Sequence, residues 1–230
     1  MSSEVVRYAL EEEIAVVTID DGRANALSHA VIEGLGKALE RAQGEARAVV
    51  LAGRQGRFCA GFDLGVMMAD AHQRRVLVEA GAHLCLRMYE YPRPIVVACT
   101  GHALAAGAVV LTSCDWRIGA DLDVKIGLNE VSIGMPLPVF ALELARARLA
   151  GPQLLEAAVH ARIYSPSEAV RVGYLDEVVP ASDLMATARA RATQLGSLNA
   201  DAYSTTKHLV RRPTIRVIRE TLEEDMDKIG

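Results

Sequence analysis

Apolar and polar positions fall into two alternating periods along the chain. The runs at 5–12 (VVRYALEE) and 14–20 (IAVVTID) read as strands, the second ended by the turn signal DDG. From Ser28 the period lengthens. Val31, Ile32, Leu35 and Leu39 recur at helical spacing behind a serine suited to capping the first turn, which predicts a helix over 28–42. ARAVVLAG at 46–53 returns to a strand pattern, and the Gly- and Arg-rich GRQGRFCAGFD reads as a loop. A long helical region then runs to Tyr91 and is closed by YPRP.

PIVVACT at 94–100 is a buried strand, and ALAAGAVVLTSC reads as a helix with small residues on one side, packed closely on a neighbour. DWRIGA and DVKIG read as short strands. From 137 onward the pattern is helical, broken by AGP at 150–152 and by the brief strand YLDEVVP. The last two helices are expected at 181–198 and 214–229. Strands and helices alternate between 13 and 120 in a way that suggests repeated ββα units rather than one doubly wound sheet. The sheet is expected to end near 180. This divides the chain into a core over 1–180 that holds the site and a C-terminal helical region over 181–230.

Composition narrows the function classes. With 230 residues, 51% of them hydrophobic and 23% charged, the chain can bury a core without disulfides. Its net charge of −4, with acids and bases interleaved, argues against a nucleic-acid partner. The basic stretch KHLVRRPTIRVIR reads first as a solvated helix face. Cys59, Cys85, Cys99 and Cys114 form no CxxC pair and sit in apolar runs, as free thiols in a reducing compartment would. Cys99 and His102 have a spacing a metal could use, but no second ligand pair accompanies them, so no metal site is expected. The N-terminus lacks the basic and apolar regions of a signal peptide. The longest apolar run, 94–114, is interrupted by His102 and two glycines and reads as buried core, not as a membrane span. A cytoplasmic location is expected.

Three segments could carry chemistry. RFCAGFDL at 57–64 places small residues before a helix start, where backbone N–H groups can face a developing negative charge. Taken alone it reads first as a strand-to-helix turn that needs a glycine. GHALAAGAVVLTSCD allows close backbone approach, but it has neither the GxGxxG pattern nor a P-loop GK[ST]. KIGLNEVSIGMPLP holds one carboxylate, Glu130, in an otherwise apolar stretch. Leu128, Val131, Ile133 and Met135 are expected to desolvate it, and burial would make it a better proton acceptor near neutral pH.

In order and spacing these segments resemble the crotonase superfamily, the enoyl-CoA hydratases and isomerases. ANALS at 24–28 resembles the family's N-A-L segment, and GRFCAGFDL resembles its first oxyanion loop. RPIVVACTGHALAAGAVVLTSCDWRIGA resembles the strand and helix that supply the second oxyanion donor, and SPSEAVRVGYLDEVVP resembles the segment that follows. The resemblance runs from about Arg7 to about Lys207. It implies an α/β fold of the ClpP/crotonase type, with repeated ββα units and a helical C-terminal region. A homotrimer or a dimer of trimers would be the usual assembly.

It also implies an acyl-CoA substrate, so that coenzyme A is part of the substrate and no separate cofactor is needed. The thioester carbonyl would receive the backbone N–H groups of Phe62 and Ala106, the latter standing where the family normally has glycine. Arg23, Ala24, Ala60, Asp63 and Leu64 would border the CoA. Arg23 and Lys207 could meet its phosphates, and both are equally plausible as solvated charges.

Hydratases of this family use two glutamates. At the first position this chain has Val109, and the second matches Glu130. The hydratases' Gly-rich stretch after the second glutamate is replaced by PLPVFALEL. Glu143, the one nearby acid that could complete a pair, is expected to face solvent or to pair with Arg146 or Arg148. GLNEVSIGM is similar to the GLNE segment of mitochondrial-type Δ3,Δ2-enoyl-CoA isomerases, in which one carboxyl moves one proton. The resemblance therefore implies a double-bond isomerase with Glu130 as its base. The alternatives are a hydratase, another crotonase-type reaction, or an acyl-CoA binder without catalysis.

Overall fold

The computed structural model describes residues 4–149 and 151–229. Two strands open the chain, β1 (Val6–Glu11) and β2 (Ile14–Ile19), paired antiparallel, and α1 (His29–Glu45) follows. Ser28 caps that helix by accepting from the Val31 N–H, and Val31, Leu35, Leu39 and Ala42 form its buried face.

A repeating unit then begins. One strand enters the main sheet, the next enters a second sheet, and a helix returns. The strand pairs are β3 (Ala48–Ala52) with β4 (Gly56–Cys59), β5 (Ile95–Cys99) with β6 (Gly101–Leu104), and β7 (Trp116–Ala120) with β8 (Ile126–Gly127). With β9 (Glu177–Val179), the main sheet has the order β1-β2-β3-β5-β7-β9 and the smaller one β4-β6-β8. Every pairing after the first is parallel.

The connecting helices are α2 (Leu64–Met67) and α3 (Ala71–Glu90) after β4, α4 (Ala106–Ser113) after β6, and α5 (Val139–Arg146), α6 (Gly151–Ala158) and α7 (Pro166–Val172) between β8 and β9. α8 (Leu184–Gly196) and α9 (Ala200–Asp227) complete the described chain. Alternate residues of the central strands serve two cores. Val17, Val49, Leu51 and Val97 face the α1, α3 and α4 side, while Val16, Val50, Val96 and Ile118 face Leu184, Ala188 and Ala192 of α8. A strand buried on both faces reads as an unbroken apolar run, which is why 46–53 and 94–100 stand out in the sequence.

The structure departs from the sequence reading in four places. The expected loop at 53–63 contains β4, and the expected helix start at Ala103 is the end of β6. These strands have four residues each, too short to establish a period of two. The region up to Tyr91 is two helices, because the Asp70 side chain accepts from the Gln73 N–H and starts α3 afresh. The last helix starts at Ala200, not at 214, and runs through Pro213. Proline there removes one donor to the Leu209 carbonyl, and Leu209 is exposed. Of the break at 150–152, Ala150 lies outside the described residues, and α5 and α6 flank it.

Charge is also buried where β5 and β7 begin. Asp115 accepts from the Lys207 Nζ at 2.8 Å and from the Ile95 N–H at 2.7 Å, and it pairs with the Arg211 guanidinium at 2.9 Å. This cluster ties α9 to the β5–β7 layer.

Candidate active site

The chain reaches the loop that carries the Phe62 N–H through β4, whose end is clamped beneath α4. A Cβ on Gly107 would lie 2.1 Å from the Cys59 carbonyl oxygen, so only glycine permits this approach. Beyond Cys59 the backbone turns at Gly61 (φ 100°) and enters α2, which Asp63 caps by accepting from the Gly65 and Val66 N–H groups. Leu27 holds the turn from the other side. Its N–H donates to the Gly61 carbonyl at 2.8 Å, and its carbonyl accepts from the Asp63 N–H at 3.3 Å.

The second donor stands at the first residue of α4. Ala105 precedes it with φ 51° and ψ −126°, a conformation costly for any residue with a Cβ. A Cβ on Gly61 would lie 3.8 Å from the Ala106 nitrogen, so the two loops run side by side. Among the described residues, neither the Phe62 N–H nor the Ala106 N–H has a hydrogen-bond acceptor within the protein. Two adjacent unsatisfied donors, one of them at a helix N-terminus, suit an oxygen that gains negative charge.

Glu130 follows β8 and opens a short 3₁₀ turn, Val131–Ile133. Burial pushes its carboxyl up to about 7, with a smaller opposing pull from the Glu130 and Asn129 N–H groups. Its Oε2 is buried without a hydrogen-bond partner. The neighbours that dry it differ from those expected. Leu128 is buried, but Val131 and Ile133 turn outward, 43% and 57% exposed. The 3₁₀ turn rotates them away, and residues distant in sequence replace them.

Phe62, Met67, Val78, Met135 and Pro136 line, with Glu130, a cavity of about 230 Å³. Among the described residues Glu130 is the one acid on its wall, which Arg74, Lys228 and Ile229 also border. A wider, shallower groove of about 490 Å³, bordered by His83, Glu90 and Arg219, contains none of these residues.

Arg23 and Ala24 lie in the segment that Leu27 joins to the Phe62 loop, so they share a rim with Ala60, Asp63 and Leu64. Arg23, Ala60 and Leu64 are exposed there. Asn25 organises this rim and carried no role in the sequence reading. At φ 55° and fully buried, it donates through Nδ2 to the Ile19 and Arg57 carbonyls. Lys207 is elsewhere, buried against Asp115, and is therefore neither a phosphate contact nor a solvated charge. Glu143 pairs with Arg146 at 3.0 Å, whereas Arg148 donates to the Cys114 and Asp115 carbonyls. Val109 is buried in α4. Cys99 and His102 do not converge on a common point: the thiol meets the Gly101 carbonyl, and the His102 Nδ1 accepts from the Lys125 N–H.

A family profile described as enoyl-CoA hydratase/isomerase matches residues 9–229. The chain belongs to the enoyl-CoA hydratase/isomerase family. It is similar to a probable enoyl-CoA hydratase of Rhodobacter capsulatus, 34% identical over 90% of this chain and 81% of that one. It is also similar to the mitochondrial enoyl-CoA delta isomerase 1 of Homo sapiens, 32% identical over 87% of this chain and 68% of that protein. Among solved structures, an enoyl-CoA hydratase/isomerase family protein from Pseudomonas syringae superposes with a TM-score of 0.96 at 38% identity, covering 99% of each chain. The crotonase-type fold expected from the sequence is thus shown. Relatives within this family carry both reaction names, so the choice between them rests on the site.

Proposed function

We propose that the protein is an enoyl-CoA isomerase that converts a 3-enoyl-CoA to the 2-trans-enoyl-CoA. The observation that carries this reading is the Glu130 carboxyl, the one acid among the described residues that line the cavity. In the reaction the Glu130 carboxylate takes a proton from C2. The electron pair left behind delocalises into the thioester, and the oxygen of the resulting dienolate accepts from the Phe62 and Ala106 N–H groups. The protonated carboxyl then returns the proton at C4, and the double bond ends between C2 and C3. One proton leaves and one returns, so water and a separate cofactor have no part in the balance. A base held near neutrality matches both transfers, because its proton affinity favours neither direction strongly.

Water addition asks for a second group to activate the water. Val109 stands in α4 where hydratases place a glutamate, and Glu143 is engaged with Arg146. Arg23, Ala24, Ala60, Asp63 and Leu64 would border the CoA, and a homotrimer is the assembly we propose. The test is product analysis with two substrates, 3-trans-hexenoyl-CoA and 2-trans-hexenoyl-CoA. An isomerase consumes the first and leaves the second unhydrated. Formation of 3-hydroxyhexanoyl-CoA from the second would favour a hydratase, and tight binding of both without turnover would favour a binder.

A further inference from the structure

The wall of the Glu130 cavity includes an arginine that has no role in the chemistry above. Arg74 borders the cavity from α3. Val78 and Gly81, four and seven residues further on, lie on the same face, and Gly81 abuts the Phe62 ring. The cavity therefore runs along this face, from the Phe62 end to Arg74, over about 10 Å of helix. Its volume of about 230 Å³ equals roughly eight water-sized groups, the scale of a short acyl chain.

Arg74 does not use its charge on a carboxylate among the described residues. Its Nε donates to the Met67 carbonyl at 3.0 Å, and its guanidinium donates to the Ile229 carbonyl at 3.4 Å. Met67 is the last residue of α2, and Ile229 lies two residues past the end of α9. Carbonyls at helix C-termini lack intrahelical donors and carry partial negative charge, so a guanidinium can serve two of them at once. Its planar fork suits this better than an ammonium. One side chain thus pins the two helix ends that meet at the bottom of the cavity. A second tie lies outside it: Arg75 pairs with Asp227 and also joins α3 to α9. Arg75 is absent from the cavity wall.

We propose that Arg74 is a specificity-determining residue, a clasp that closes the acyl end of the cavity and restricts the substrate to short acyl chains. The inference rests on the acyl-CoA reading of this cavity but not on the reaction performed there. Its test is calorimetric binding of saturated acyl-CoAs from butyryl to palmitoyl to the full chain, with Arg74→Ala, Arg74→Lys and Arg75→Ala beside wild type. In wild type each added methylene should tighten Kd by roughly fourfold until the chain meets the clasp, and longer chains should gain nothing. Arg74→Ala should move that break to longer chains. Arg74→Lys, able to reach one carbonyl, should fall between. Arg75→Ala, which loosens the outer tie alone, should keep the wild-type break. An unmoved break in a folded Arg74→Ala protein overturns the proposal. So does an equal move in Arg75→Ala, which would mean general loosening of α9. If wild type binds these esters with the expected break but does not isomerise, the isomerase reading fails and the clasp stands. If it binds none of them, both fail.

Discussion

The Phe62 ring occupies the space that a side chain at position 81 would need: a Cβ on Gly81 would stand 2.3 Å from the ring's Cε1. The glycine thereby fixes where α3 meets the Phe62 loop. Gly81→Ala should push the ring aside and carry the Phe62 N–H with it. Alanine also favours the helix by about 1 kcal/mol, which offsets the repacking. The expected outcome is a thermal midpoint close to wild type and a kcat/KM lower by about 10- to 100-fold, because small misplacements of a positioned donor are costly. Calorimetry and initial rates on one preparation check both halves.

Glu130 should destabilise the fold in a pH-dependent way. Its folded value is raised to about 7 from the ordinary carboxylate range. Between about 4.5 and 7 the folded chain therefore holds a proton that the unfolded chain has lost, and stability falls as pH rises through that window. Glu130→Gln removes the cost. Urea titration should find the variant more stable than wild type by roughly 2 kcal/mol at pH 8, with the difference gone near pH 4.5. The gain in stability accompanies loss of the base, as expected of a group held for chemistry.

Ala105 carries backbone strain at the start of α4, with φ 51° and ψ −126°. Glycine adopts this conformation without penalty. Ala105→Gly should raise stability by about 1 kcal/mol, measured by urea unfolding, and should leave turnover within a few-fold of wild type because the Ala106 N–H keeps its direction.

Asp115 compensates two buried cations, Lys207 and Arg211. Asp115→Asn would leave both without a counter-charge in a dry layer. The expected loss is about 3 kcal/mol or more, seen as a lowered denaturation midpoint. The chemistry should survive in the fraction that stays folded, since this cluster lies apart from the Glu130 cavity.

The sequence made the long strands and the first helix legible because their periods run long enough to register. Val49 to Ala52 and Ile95 to Cys99 are apolar on both faces and could only be interior. Glu130 was legible as one carboxylate among apolar neighbours. The cavity wall was not. Arg74 and Ile229 are 155 positions apart in the chain, and no local pattern joins them. Val131 and Ile133 were expected against Glu130 by proximity in sequence, yet the 3₁₀ turn points them outward. Lys207 sits among other bases and reads as solvated, but its partner Asp115 lies 92 residues away and buries it.

The most direct test of the central claim, that Glu130 alone shuttles the proton, is a single absorbance assay. Purified protein is mixed with 3-trans-hexenoyl-CoA at pH 8, and the conjugated enoyl thioester is followed for wild type and for Glu130→Gln. The account predicts steady conversion by wild type and a rate at least about 10³-fold lower in the folded variant. Equal rates in the two proteins, or no conversion by a wild type that binds CoA esters, would contradict it.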